Sequence, residues 1–278
     1  MPTRTAYLPL SSYPEAPPDD PILTTVGFAT ALGCRVRVTT FAVSIPQMRT
    51  PLGGFLLDVP GLVHTAEEKS RADCLRLNDL VRKVAGSPST IEVATRTVVL
   101  GAALDAAAAE ARSYDLSVVP WSAETSSAQD MAQAVVFGSG RPTILVPPSA
   151  RPAPLDHVAI AWDGSRVAAR ALWDVLALLP ENGRLTVLTI RDEKPLSGPA
   201  LATSLASSLE KRGYNAKPCE ITLGERTIAE ALQDASVEAG AQLLAMGGFG
   251  HSRIRDFILG GATNGVLSDL RLPVLLSH

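Results

Sequence analysis

Apolar residues along the chain alternate between two spacings, and this alternation predicts a series of strands and helices. Short continuous apolar runs, such as residues 116–120 and 242–246, have the length of buried strands. Longer segments between them carry apolar residues three or four positions apart, as Leu172, Val175 and Leu179 do. Strands that alternate with helices favour a parallel sheet with helices on both faces. The pattern therefore predicts an α/β protein.

The C-terminal half has the more regular pattern. Its predicted strands are residues 157–162, 184–190, 216–223, 242–246 and 274–277, and its predicted helices are residues 165–179, 200–212, 227–238 and 262–270. The N-terminal half repeats this plan with weaker signals. There the predicted strands are residues 5–10, 34–43, 91–99, 116–120 and 143–146, and the predicted helices are residues 21–32, 66–85 and 102–113.

This repetition predicts two domains. A chain of 278 residues is long for one compact domain and suits two of similar size. The segment 147–154 contains four prolines, which make it a stiff, extended linker. We therefore expect one domain over residues 1–148 and a second over residues 155–278.

The strongest indication of chemistry is a glycine-containing segment that follows the predicted strand 242–246. Gly247, Gly250 and Gly260 precede a predicted helix. Glycines let backbone N–H groups approach an anion closely, and a helix N-terminus adds free N–H groups and partial positive charge. This order of strand, loop and helix holds nucleotide phosphates in α/β proteins. A loop whose glycines only satisfy positive φ angles explains the same spacing equally well.

A second turn lies where the predicted strand 157–162 ends. The sequence Asp163-Gly164-Ser165 follows that strand and precedes a helix. In a doubly wound sheet this turn and the glycine segment lie at the carboxyl ends of neighbouring strands, where ligands bind. Asp163 is a candidate contact for a ribose or a phosphate-bound metal ion, and it also suits a helix N-cap.

At these residues the chain resembles the nucleotide-binding branch of the universal stress protein family. Gly247, Gly250 and Gly260 match the glycine spacing of that branch, with nine residues between the second and third glycines. Gly261 replaces the Ser or Thr that is usual in the family, and Thr263 offers a hydroxyl two residues later. The resemblance is close in the C-terminal half and holds only in outline in the N-terminal half.

The resemblance implies two Rossmann-like domains, each a mostly five-stranded parallel sheet flanked by helices, related by a pseudo-two-fold axis. It implies that the C-terminal domain binds ATP, with Mg²⁺ or Mn²⁺. It further implies that backbone groups at Ile190 recognise adenine. The residues expected to bind the nucleotide are Asp163, Ile190, Met246, Gly247, Gly250, Gly260, Gly261, Ala262 and Thr263.

The N-terminal half is expected to have lost this site. Pro120 and Ala123 align with two of the loop glycines, and a proline lacks the N–H that a phosphate needs. Trp121 is expected to fill the space of a phosphate. Residues 11–12, both serine, align with the turn that begins at Asp163. We therefore expect at most one ATP per chain.

Each half ends in a short apolar strand after a proline, residues 143–146 and 274–277. A final strand at a sheet edge exposes unpaired N–H and C=O groups and needs covering. In single-domain members of the family such edges commonly pair across a two-fold axis. By resemblance, we expect the two strands to lie antiparallel, which makes the chain an intramolecular pseudo-dimer and leaves a further homodimer open.

The segment 44–64 is apolar for a loop, and we expect it to cover the degenerate site or to form an interface or core plug.

Composition excludes several classes of partner. A net charge of −3 offers no basic stripe for nucleic acid, and no apolar run reaches the roughly 20 residues that cross a bilayer. Cys34, Cys74 and Cys219 are widely spaced and odd in number, which indicates buried thiols in a reducing cytoplasm. We expect a soluble cytoplasmic protein.

Three functions fit the sequence. The first is a nucleotide-dependent stress-response or regulatory protein, the second a slow ATPase or nucleotidyl-transfer enzyme that uses the same loop, and the third a scaffold without nucleotide. His251, Arg253 and Arg255 lie within the loop and are expected to be solvated, although either arginine could reach a terminal phosphate. Because the sequence contains no identifiable general base beside the loop, hydrolysis is not inferred.

Overall fold

The computed structural model of the chain describes residues 3–46, 58–84, 90–122, 126–191, 201–248 and 261–278. The N-terminal half contains strands β1 (Thr5–Ser11), β2 (Arg35–Ser44), β3 (Ile91–Val99), β4 (Leu116–Pro120) and β5 (Thr143–Val146), and helices α1 (Asp19–Ala31), α2 (Val59–Val84), α3 (Ala103–Ala111) and α4 (Ser126–Ser139). The C-terminal half contains strands β6 (His157–Ala161), β7 (Arg184–Ile190), β8 (Asn215–Ile221), β9 (Leu243–Gly247) and β10 (Val274–Ser277), and helices α5 (Arg166–Leu176), α6 (Leu201–Lys211), α7 (Ile228–Glu238) and α8 (Gly261–Ser268).

The ten strands form one sheet in the order β3-β2-β1-β4-β5-β10-β9-β6-β7-β8. Within each half the five strands are parallel, and both halves have the same internal order. The α/β fold and the parallel five-stranded sheets predicted from the sequence are confirmed. Parallel strands require crossover connections, and the helices provide them.

Two helices differ from the sequence-based expectation. Helix α4 was not predicted, although Met131, Val135 and Val136 are buried along it at helical spacing. Helix α2 begins at Val59, within the segment 44–64 that we expected to be a loop. Its first two turns are exposed at Val59 and Leu62, so they present apolar side chains to solvent. Residues 47–57 of that segment lie outside the described residues.

The two halves are joined by antiparallel pairing of β5 with β10, as the sequence predicted. Ile144 and Leu275, the second residues of the two strands, pair with each other. The first residue of each strand pairs with the third residue of the other, which gives Thr143↔Leu276 and Leu145↔Val274. The pairing is therefore symmetric, and a local two-fold axis passes between Ile144 and Leu275.

Both hydrophobic cores are continuous across this junction. One core lies between the sheet and helices α1, α2, α5 and α6, and it includes Ile144 and Leu275. The other lies beneath helices α3, α4, α7 and α8, and it includes Leu145 and Val274. Because alternate residues of a strand point to opposite faces, each terminal strand contributes to both cores. The apolar strands that would otherwise form two exposed edges are thus fully buried.

Trp121 connects the two halves directly. It follows β4, is 5% exposed, and its indole Nε1 donates to the carbonyl oxygen of Leu267 in α8 at 3.0 Å. We expected this indole to fill the phosphate position of the N-terminal half. The structure instead places it in the contact between the halves, because the β5–β10 pairing brings α8 beside the end of β4.

The structure shows how far each of the three cysteines is buried. Cys34 and Cys74 are buried free thiols, as expected, whereas Cys219 is partly exposed. Burial raises the pKa of the Cys34 thiol to about 11, which keeps it protonated and unreactive near neutral pH.

None of the helices in the described part of the chain combines the length and apolar composition that crossing a membrane requires.

We predict that Trp121→Phe lowers the free energy of unfolding by about 1–3 kcal/mol, because it removes a buried hydrogen bond and leaves space between the halves. The matched control is Trp173→Phe, since Trp173 is 61% exposed. This substitution should change the free energy of unfolding by no more than about 0.5 kcal/mol. Urea unfolding followed by far-ultraviolet circular dichroism measures both. Equal stability of the two variants would contradict the role given to Trp121.

Candidate functional site

The carboxyl end of β6 lies in a gap between two neighbours that extend beyond it. The last pair of β6 with β7 is Ala161↔Leu188, so Ile190 extends past the end of β6. The last pair of β6 with β9 is Ile160↔Ala245, so the end of β9 extends past it on the other side. Adjacent strands lie about 4.8 Å apart, so this gap is about 10 Å wide. We call it the β6 notch.

The β6 notch is at the topological switch point of the C-terminal half. From β6 the chain proceeds to β7 and β8 on one side, whereas β9 and β10 lie on the other side. Open parallel sheets bind ligands in the crevice that such a reversal of strand order creates. The predicted residues Asp163, Ile190 and Gly247 come from three separate segments, and the sheet brings all three to this crevice.

The turn from Asp163 to Ser165 forms the floor of the β6 notch. Asp163 Oδ1 accepts a hydrogen bond from the backbone N–H of Ser165 at 2.8 Å, and Gly164 has a φ of 76° that favours glycine. The N-cap of α5 is Ser165, whose hydroxyl accepts from the N–H of Ala168, so the capping role considered for Asp163 belongs to Ser165. The Asp163 side chain is exposed, and its carboxylate faces solvent at the end of the strand.

Ile190 and Met246 border the notch with their backbones. Both side chains are buried in the core beneath α7 and α8. The role expected for Ile190, recognition of a base by backbone groups, is compatible with this placement. Met246 can likewise offer the notch its backbone rather than its thioether.

Gly247 has a packing reason to be glycine. A Cβ atom at this position would lie 2.6 Å from Val167 Cγ2 and 2.8 Å from the backbone nitrogen of Ala168. The end of β9 thus passes against the first turn of α5, where no side chain fits. For Gly247 the packing against α5 supports the structural explanation, and the ligand-binding role stays a prediction. The backbone N–H of the next residue, Gly248, is bonded to the Ser277 carbonyl oxygen at 2.8 Å.

The remaining predicted residues follow Gly248. Gly250 and Gly260 lie outside the described residues, as do His251, Arg253 and Arg255. Gly261, Ala262 and Thr263 are the first three residues of α8, so this helix begins one residue before its predicted start. Helix α8 follows β9, which borders the notch. Among the described residues no group of three His, Cys, Asp or Glu side chains is placed to hold a metal ion.

The strand registers confirm the sequence alignment of the corresponding edge in the N-terminal half. The local two-fold axis relates Thr143 to Val274, which pair with Ser117 and Leu244, and these in turn pair with Tyr7 and Ala159. Counting along β1 and β6 from this pair, Ser11 corresponds to Asp163 and Ser12 to Gly164. The Ser11 hydroxyl also accepts a hydrogen bond from the N–H two residues later, as Asp163 does.

This register leaves the N-terminal half without a carboxylate at the end of its first strand. Ser11 and Ser12 occupy the positions of Asp163 and Gly164. Ser12 is buried, and its hydroxyl donates to the carbonyl oxygen of Phe41 at 2.8 Å. Its hydroxyl is thus committed to the core. Of the two residues aligned with loop glycines, Pro120 ends β4, and Ala123 lies outside the described residues.

Residues 154–278 match the model of the universal stress protein family. No curated protein matches the chain. A universal stress protein from Archaeoglobus fulgidus DSM 4304 is similar over 98% of this chain and 95% of its own, with 16% identity and a TM-score of 0.68. A functionally unknown protein from Pseudomonas aeruginosa PAO1 is similar over 98% of this chain and 92% of its own, with 12% identity and a TM-score of 0.50. At these identities the two similarities show the fold alone.

A universal stress protein solved in complex with cAMP is similar to 45% of this chain and 97% of its own, with 20% identity and a TM-score of 0.35. A TM-score of this size carries no inference about a ligand of this chain.

We predict that Gly247→Ala lowers the free energy of unfolding by about 1–3 kcal/mol even without ligand, because the new methyl group overpacks the contact with α5. The neighbouring Gly248→Ala is the matched control. There the added Cβ would lie 3.5 Å from the Ser277 carbonyl oxygen, an ordinary contact, so its stability should change little. Thermal unfolding of both variants measures the difference. If the two glycines tolerate alanine equally, the close packing of β9 on α5 is not what requires Gly247.

Proposed function

Because residues 154–278 belong to the universal stress protein family, we propose that the C-terminal half of this chain binds an adenine nucleotide, ATP, at the β6 notch. The observation that carries the proposal is the meeting of Asp163, Ile190 and Gly247 at one switch point. The sequence separates these residues by many positions, whereas the sheet places them on the same edge. Such a crevice is where open α/β sheets bind ligands.

Each part of the nucleotide has a corresponding group at the notch. The exposed carboxylate of Asp163 accepts hydrogen bonds, which suits the ribose hydroxyl groups. The backbone at the end of β7, at Ile190, offers peptide groups to the base. The N-terminus of α8, at Gly261–Thr263, adds partial positive charge and free N–H groups, which favour the phosphates. Gly250 and Gly260 belong to the connecting segment and complete the phosphate site in this proposal.

A divalent cation enters this proposal with the phosphates. Mg²⁺ and Mn²⁺ prefer oxygen ligands, and Mg²⁺ usually keeps several waters while bridging phosphates to one or two carboxylates. Asp163 is the carboxylate positioned for that role. The cation would neutralise phosphate charge and help to fix the phosphates against α8.

We propose a nucleotide-dependent regulatory or stress-response protein rather than an efficient enzyme. Among the described residues, Arg191 directly after β7 forms an ion pair with Glu220, so its side chain is engaged within the protein. In this proposal a partner recognises the nucleotide-bound form of the chain. Measurement of ATP turnover with and without metal distinguishes this proposal from a slow ATPase or nucleotidyl-transfer enzyme.

Asp163→Asn should weaken ATP binding about tenfold, because the ribose or cation loses a charged acceptor, a change of about 1.4 kcal/mol. The asparagine oxygen can still accept from Ser165, so the turn should persist. Asp156→Asn is the matched control: Asp156 precedes β6, pairs with Arg184 at 2.9 Å, and lies at the opposite edge of the sheet. Calorimetric titration with ATP and Mg²⁺ measures all three proteins. Equal affinity of the Asp163 and Asp156 variants would remove Asp163 from the site, and wild-type protein that binds no ATP would favour a scaffold.

We predict that ATP saturates the protein at one molecule per chain. The N-terminal half has Ser11 and Ser12 in place of Asp163 and Gly164, and Pro120 at the end of β4 lacks an N–H donor. Equilibrium dialysis with radiolabelled ATP measures the stoichiometry directly. Saturation at two molecules per chain would show that the N-terminal half has kept a nucleotide site.

A further inference from the structure

We propose that the N-terminal half binds a small uncharged apolar molecule of one or two rings, in a cavity at the position that the β6 notch occupies in the C-terminal half. This cavity has a volume of about 230 Å³. It lies at the carboxyl ends of β1, β2 and β3, beside the first turns of α3 and α4. The proposal is independent of ATP binding, because it concerns the other half of the chain.

The strand register shows that the cavity and the β6 notch are equivalent positions in the fold. Phe41 and Val43 of β2 line the cavity. Thr5 pairs with Arg35 at the start of β1, as His157 pairs with Arg184 at the start of β6, so Phe41 corresponds to Ile190. Ser11, which corresponds to Asp163, also lines the cavity, as do Tyr13 and Pro14 just after it. The two halves therefore have a ligand position at the same place in the fold, with polar side chains in the C-terminal half and apolar side chains in the N-terminal half.

The lining determines which chemistry the cavity accepts. Phe41, Val43, Val98 and Leu104 provide aromatic and aliphatic walls. Among the described residues that line the cavity, none is Lys or Arg, so no cationic side chain is available to a phosphate or carboxylate. Asp130 on α4 is the one charged residue of that set, and its exposed carboxylate repels anions. An uncharged ligand therefore fits better than an anionic one.

The hydroxyl groups of Ser11, Ser12 and Ser70, near the cavity, form hydrogen bonds within the protein. The hydroxyl of Ser11 donates to the carbonyl oxygen of Tyr13 at 2.8 Å. Behind the cavity, the hydroxyl groups of Ser12 and Ser70 are 2.7 Å apart, and Ser70 also accepts from the N–H of Val43 at 2.9 Å. These hydrogen bonds satisfy the carbonyl oxygen of Phe41 and the N–H of Val43, at the end of β2, from the core side. The apolar walls are left as the dominant surface for a ligand.

Size and exposure point to a compact ring system. An apolar cavity of about 150 Å³ binds benzene, so this larger one suits one ring or two fused rings, such as indole or naphthalene. At its mouth Val99 and Leu100 are 54% and 46% exposed, and both line the cavity. Large apolar side chains that remain exposed around a concave site are typical of a surface that a ligand covers.

The test uses two fluorescent probes with the same aromatic framework. N-phenyl-1-naphthylamine is uncharged, and 1-anilinonaphthalene-8-sulfonate carries a sulfonate. We expect the uncharged probe to bind saturably at one molecule per chain, to be displaced by naphthalene, and to bind at least tenfold more tightly than the anionic probe. Equal binding of the two probes, or displacement of the uncharged probe by ATP or adenosine, would overturn the proposed ligand class.

Replacing each of two alanines on α3 by tryptophan tests whether the probe binds in the cavity. Ala103→Trp places a large side chain in the cavity, because Ala103 lines it at the start of α3. We expect this variant to weaken binding of N-phenyl-1-naphthylamine at least tenfold. Ala109→Trp is the matched control, since Ala109 is exposed on the same helix and does not line the cavity.

Two additional measurements keep this test decisive. If Ala103→Trp lowers the unfolding temperature, Val98→Phe on β3, which also lines the cavity, replaces it, with the same expected loss of probe binding. Calorimetry with ATP should give the wild-type result for both cavity variants, so failure of ATP binding and failure of this proposal are distinguishable. Probe binding that neither cavity variant changes would place the probe elsewhere and contradict the proposal.

Discussion

The structure depends on the antiparallel pairing of β5 with β10 at the centre of a ten-stranded sheet. Three residue pairs make this junction, and all eight residues of the two strands are buried. The pairing covers two apolar edges that would otherwise promote aggregation. It also joins the cores on both faces of the sheet, so that neither half presents a core surface to water. Trp121 adds a buried hydrogen bond from one half to the other.

The same pairing determines where the two ligand positions lie. Because β5 and β10 are antiparallel, every strand of the N-terminal half runs opposite to the strands of the C-terminal half. The carboxyl ends of the two sets therefore lie on opposite edges of the sheet. The β6 notch and the N-terminal cavity consequently face away from each other. We infer a chain that offers a polar, carboxylate-bearing site at one edge and an apolar site at the other, on one continuous scaffold.

Much of this fold could be predicted from periodicity. Strands β3, β4, β5, β7 and β10 have the bounds predicted from the sequence. For β4, β5 and β10 this is because strands that are buried throughout are short, mainly apolar segments. Helix α4 was missed although its buried residues follow a helical spacing, since its first turn is serine-rich. The start of α2 was missed because the glycine and prolines near it favoured a loop.

The candidate site was predictable in its chemistry and less so in its packing. The sequence singled out Asp163 and Gly247, but it could not show that Gly247 is also required by contact with Val167 and Ala168. That contact joins β9 to α5, which are far apart along the chain. The alignment of residues 11–12 with Asp163-Gly164 agrees with the strand registers, because β1 and β6 begin at equivalent positions and β1 is longer only at its carboxyl end. The N-terminal cavity is formed by several separate segments, so no single motif indicated it.

The central claim, that one sheet carries a nucleotide site in its C-terminal half only, is tested most directly by amide resonances of the deuterated, ¹⁵N-labelled protein during titration with ATP and Mg²⁺. The account predicts that the largest shifts occur at the β6 notch, around Asp163, Ile190 and Gly248. Residues around Tyr13, Val43 and Gly101 should remain unchanged at saturating nucleotide. Shifts concentrated at the N-terminal cavity, or equal shifts in both halves, would contradict it.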